Sequence, residues 1–177
     1  MSIAIYRNSA DGKTSGGTGK FGVVEPNHLS APRNGQVYAQ LPADSTIKVL
    51  ENGMFVKYDY AAGKVAFSGN GPFYMVFNEE KLYDTHKQSH RDYAMQKDMF
   101  LDGVMTPRVF AMKAGDIFTT NTLADGTYSV GDKLAPNKNG LLAAAAETGG
   151  FAQVVAETTL PDGMTPAVKI QLIADAE

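Results

Sequence analysis

Short apolar runs separated by turn dipeptides set the rhythm of this 177-residue chain. Asn-Gly occurs at Asn34-Gly35, Asn52-Gly53, Asn70-Gly71 and Asn139-Gly140, and Asp-Gly at Asp11-Gly12, Asp102-Gly103, Asp125-Gly126 and Asp162-Gly163. These pairs accept the positive φ angles that tight hairpin turns demand. Between them, Val37-Tyr38-Ala39-Gln40 and Thr46-Ile47-Lys48-Val49 read as strands. Met54 to Tyr58, a turn at Ala61-Ala62-Gly63 and then Lys64 to Phe67 read as a hairpin. Pro72 to Phe77 is apolar at successive positions, which predicts a strand covered on both faces near the centre of the packing.

The last third has the same texture. Ile117 to Thr120, Thr127 to Val130, Gly140 to Ala143, Phe151 to Glu157 and Val168 to Ile173 are all strand-like. In the final run Val168, Ile170 and Leu172 alternate with Lys169 and Gln171, so one face is set against a core. Many short strands at regular spacing predict an all-β fold with small α content, built as one or two small β-barrel or sandwich modules.

Two stretches break the rhythm. The segment from Asn8 to Lys20 is polar and glycine-rich, so residues 1–35 are expected to form an extended arm. Ahead of it Ile3, Ala4, Ile5 and Tyr6 have strand character, and such a strand adds to a sheet edge, its own or a neighbour's. Ile3, Ile5 and Tyr6 are thus the candidate partner-binding residues. Residues 78–102 are charged and polar almost throughout; Tyr93, Phe100 and Leu101 allow a helix with one thin apolar stripe, and a surface excursion fits as well. The expected organisation is an arm over 1–35, a β module over 36–110 with the polar insertion 78–102, and a barrel-like module over 111–177. The arm, with few apolar side chains, is expected to matter for assembly and little for folding.

Composition narrows the function. With 16 basic and 19 acidic residues the net charge is -3, and no basic surface exists to displace counterions from phosphates, so nucleic acid is not an expected partner. Cysteine is absent, which excludes disulfides, thiolate metal sites and thiol nucleophiles. The start lacks the apolar region of a signal peptide, and the longest small-apolar run, Leu141 to Ala146, is far too short to span a bilayer. No membrane association is expected, and synthesis in a reducing cytoplasm fits.

Each catalytic template fails on its own terms. Gly12-Lys13-Thr14 and Gly19-Lys20 lack the upstream glycine, the following hydroxyl or the helix that a phosphate loop needs. His86 and His90 have the spacing of a zinc helix, but Lys87 stands where the catalytic glutamate belongs and no third ligand is specified. His28 stands alone. Ser45 and Lys48 match Ser-x-x-Lys, yet on a strand they point to opposite faces. On a strand Glu79 and Glu80 point apart, Asp98 with Asp102 would face solvent on a charged helix, and the chain has no tryptophan to line a glycosidase cleft. The expectation is a non-enzyme without cofactor or metal.

Lys81 to Met95, Pro107 to Phe110, Gly115 to Asn121, Tyr128 to Pro136, Gly140 to Ala143 and Gly150 to Val155 together resemble virion structural proteins of tailed bacteriophages. In texture, residues 75–175 are similar to the small β modules of capsid decoration (cement) proteins. That resemblance implies a virion structural protein without catalytic residues, made in the host cytoplasm. It implies a homo-oligomer that binds the outer face of the major capsid protein lattice and stabilises the phage head. The rival expectation is a small-molecule or glycan-binding β-barrel of a tail, fibre or host-recognition protein.

Overall fold

A computed structural model describes residues 2–8, 13–14, 21–30, 41–78, 93–145 and 149–176. Nearly all of its regular structure is β. The first strands are β1 (Ser2–Ile5), β2 (Arg7–Asn8), β3 (Lys13–Thr14), β4 (Val24–His28) and β5 (Val49–Glu51). Then come β6 (Phe55–Asp59), β7 (Lys64–Ala66), β8 (Tyr74–Val76), β9 (Ala94–Gln96) and β10 (Val109–Ala111). The last six are β11 (Ile117–Thr120), β12 (Gly126–Ser129), β13 (Lys133–Pro136), β14 (Leu142–Ala144), β15 (Ala152–Thr159) and β16 (Pro166–Leu172). One 3-10 turn, Lys97–Met99, follows β9.

The largest sheet has six strands in the order β14-β13-β15-β16-β11-β4, and a second has four in the order β10-β8-β6-β7. The pairs β1-β12, β2-β3 and β5-β9 complete the set. Every pairing between these strands is antiparallel. The all-β expectation holds, but the sheets stay open and no closed barrel forms among the described residues.

Alternation explains the two cores. On β8, Met75 faces a first cluster shared with Phe118, Leu134, Val154 and Ile170 of the large sheet. Its neighbours Tyr74 and Val76 face a second cluster with Leu50, Val65, Met105 and Val109. Phe55 and Val56 on β6 divide in the same way. The four-stranded sheet therefore lies between two cores, as the doubly apolar run at Pro72 to Phe77 predicts. The hairpin expected over Met54 to Phe67 is the β6-β7 pair, with Tyr58 opposite Val65. On β16, Val168, Ile170 and Leu172 are buried as expected, and a bulge at Val155 interrupts their pairing with β15.

Several expectations are corrected. Residues 21–30 are not part of an arm: β4 pairs with β11, and Val23, Val24 and Leu29 are buried. Pro26 fits there because β4 is the edge strand, where a missing N–H costs no ladder bond. The Thr46–Val49 strand begins only at Val49. The Asp44 carboxylate accepts the Thr46 N–H at 2.9 Å and its hydroxyl at 2.7 Å, and that local turn wins over the β-branched residues. Asp125-Gly126 is not a positive-φ turn, since Gly126 opens β12 opposite Ile5. Residues 94–99 are strand and 3-10 turn rather than α-helix, because Leu50 and Met95 pair across β5 and β9. The strand expected over Val37 to Gln40 and the part of the insertion over 79–92 lie outside the described residues.

Candidate functional site

The three candidate partner-binding residues sit on or beside β1, which pairs along its length with β12, from Ser2 opposite Ser129 to Ile5 opposite Gly126. Ile5 is 3% exposed and belongs to the first core, and Ile3 packs against it. Of the two edges open to such a strand, its own or a neighbour's, β1 occupies one of its own chain. Tyr6 remains exposed beyond the strand end.

The catalytic candidates among the described residues are not brought together. Ser45 lies within the Asp44-capped turn and Lys48 just after it, and the Ser45 carbonyl accepts the Lys97 ammonium at 2.9 Å. Lys13 and Thr14 form β3, paired antiparallel with Arg7 and Asn8 on β2. His28 ends β4 on the exposed edge, and Asp98 and Asp102 are exposed near the 3-10 turn. His86, His90, Glu79, Glu80, Gly12, Gly19 and Lys20 lie outside the described residues. Among the described residues no three His, Asp or Glu side chains gather as a metal site, and no helix is long and apolar enough to cross a membrane.

Polar side chains do converge at one buried junction, which the sequence did not announce. Glu51 accepts the Gly22 N–H at 2.6 Å, and Asn121 accepts the Val23 N–H at 2.7 Å. The Thr120 hydroxyl donates to the Val23 carbonyl and the Thr122 hydroxyl to the Asn52 carbonyl, each at 2.7 Å. Asn52 receives the Asn78 N–H at 2.8 Å, and Asn78 in turn receives the Arg108 N–H at 2.9 Å. Here side chains satisfy backbone groups that ladders do not reach, which a buried loop crossing requires. Buried Asp116 acts likewise, taking the N–H groups of Ser30 and Lys113 and the Ser30 hydroxyl. The arrangement joins segments; it offers no reactive group to solvent.

What the surface presents instead is a knob after β9. Leu101 is fully exposed, with Met99 and Val104 exposed beside it and the carboxylates of Asp98 and Asp102 at its rim. The knob is braced: Gly103 donates to the Phe100 carbonyl at 2.9 Å and Val104 to Asp102 Oδ1 at 2.9 Å. Phe100 packs on the second core, and Lys97 reaches the Ser45 carbonyl. Nearby, Lys64 Nζ lies 2.5 Å from Asp44 Oδ2. Lys64 and the Thr46 donors hold the Asp44 carboxyl well below the usual carboxylate range, and Asp44 raises Lys64. Elsewhere the Ala114 N–H and the Lys113 ammonium lower Asp175.

No family model, no curated protein and no solved structure matches this chain.

Proposed function

We propose that the chain is a non-enzymatic virion structural protein that binds the outer surface of a major capsid lattice and stabilises the phage head. The observation that carries the reading is the braced knob at Met99, Leu101 and Val104. Because the turn's backbone is already braced, binding costs mainly the rotamer freedom of the exposed side chains, and the rest of their burial contributes to affinity. Each contributes about 1.5–3 kcal/mol when fully buried, which makes a single contact weak. Many copies on a symmetric lattice convert weak contacts into a stable layer through avidity, and association of the copies with one another adds to it. The sequence texture shared with decoration proteins supports the same reading, and the knob takes over the role first expected of β1.

Co-sedimentation with capsid shells of the encoding phage, stripped of this chain, tests the proposal. The wild-type chain is expected to pellet with shells, and Leu101→Asp is expected to stay in the supernatant with an unchanged melting temperature. Failure of the wild-type chain to pellet, together with its absence from purified virions by mass spectrometry, refutes the assignment.

A further inference from the structure

Beside the β6-β7 turn lies a recess of about 340 Å³ lined by Tyr58, Asp59, Tyr60, Gly69 and Asn70. We propose that it is a carbohydrate subsite for a neutral sugar, with Tyr60 as the stacking platform and Asp59 and Asn70 as the hydroxyl-binding groups. The inference stands apart from capsid attachment, since it concerns a different loop and different residues.

The platform is built from inside the protein outward. Tyr74 and Tyr58 are buried in the second core, meeting edge to face at 4.8 Å between centroids. Tyr60 stacks on Tyr58 at 5.3 Å with an interplanar angle of 19°, yet is itself 72% exposed. One ring face is therefore pinned against a fixed neighbour and the opposite face is open to water. An exposed tyrosine on a turn ordinarily samples several rotamers; this one ends a three-ring ladder. The turn beneath it is fixed as well, because Asp59 Oδ1 accepts the Ala62 N–H at 2.9 Å.

The chemistry at the rim selects the ligand. An aromatic face with its negative quadrupole attracts the slightly positive C–H groups on one side of a pyranose, and it excludes water from that side. The remaining hydroxyls need partners in the ring plane. A carboxylate has about four acceptor sites, of which the turn takes one, and the Asn70 amide both donates and accepts. The Asp59 charge disfavours phosphates, sulfates and acidic sugars. Lys64, opposite Asp59 across the hairpin, is engaged by Asp44, and Lys57, in the adjoining recess, sits 4.1 Å over the Phe73 ring. The volume falls at the small end of ligand pockets, about 300–1,000 Å³, which suits one or two sugar rings.

Saturation-transfer NMR on the full chain with maltose, cellobiose, lactose and N,N′-diacetylchitobiose at millimolar concentration tests the assignment. Transfer to the ring C–H protons of at least one disaccharide is expected. It should fall to background in Tyr60→Ala, persist in Tyr60→Phe, which keeps the ring, and weaken several-fold in Asn70→Ala. Tyr60 is exposed, so its replacement is expected to leave the melting temperature unchanged and to leave co-sedimentation with shells intact. Absence of transfer to all four sugars, or undiminished transfer in Tyr60→Ala, overturns the proposal.

Discussion

Ile5 on β1 stands opposite Gly126 on β12, with its side chain buried in the core that also holds Tyr128. The amino-terminal strand therefore contributes to stability, contrary to the expectation that residues 1–35 could be removed at little cost. Ile5→Ala should destabilise the fold by about 2–5 kcal/mol, the range for truncating a buried aliphatic chain. Removal of residues 1–35, which also deletes β4 and buried Val23, Val24 and Leu29, should abolish the cooperative thermal transition seen by circular dichroism. An unchanged melting temperature in the truncated chain would show that these contacts add nothing.

Gly140 and Gly63 both adopt positive φ, at 75° and 65°, but in different surroundings. A Cβ at Gly140 would fall 2.6 Å from the Phe55 carbonyl oxygen, whereas at Gly63 nothing lies within 4 Å. Gly63→Ala should cost about 1 kcal/mol from backbone strain alone. Gly140→Ala should cost at least about 3 kcal/mol, since the Gly140 carbonyl also accepts the Phe55 N–H that ties the two sheets together. Urea denaturation of the two variants measures the contrast, and equal losses would contradict it.

Tyr128 is buried and donates its hydroxyl to the Ala124 carbonyl at 2.7 Å. Burial, with the charges of Asp125 and Asp132 nearby, pushes its pKa from 10.0 up to about 12. The folded state therefore holds this proton more tightly than the unfolded chain. Its contribution is complete below pH 10 and is lost as the pH rises towards 12, by on the order of 2 kcal/mol. In a spectrophotometric titration of the folded protein the Tyr128 phenol should ionise above pH 10, near 12. Tyr128→Phe should flatten the alkaline fall in stability, and the same slope in both proteins would disprove the link.

At the acid end, Asp44 behaves in the opposite sense. Its carboxyl is lowered from 3.8 by Lys64 and the Thr46 donors. The stability it supplies is present above that value and is lost as the pH falls below it. Asp44→Asn should therefore flatten the melting temperature against pH below about 4, with a smaller effect near neutrality because exposed ion pairs contribute little there. A steeper acid limb in the variant would reverse the assignment.

The amino-acid sequence by itself determined the β character, most turns, the β6-β7 hairpin and the inward face of β16. Each follows from interactions a few residues apart: period-two alternation, β-branched content, and glycine at positive φ. The absence of cysteine chemistry was equally legible, since composition decides it. Tertiary structure decided the partners. Alternation at Ile3 and Ile5 says that one face seeks cover, but not that β12, more than 120 positions away, supplies it. The buried junction of Glu51, Asn52, Asn78 and Thr122 was invisible for the same reason, because isolated polar residues have no local period. The ladder of Tyr74, Tyr58 and Tyr60 and the knob at Leu101 also arise from which faces the sheets cover and which they leave open. Local pattern sets the conformation of a segment, while burial and hydrogen-bond satisfaction across the whole chain choose its neighbours.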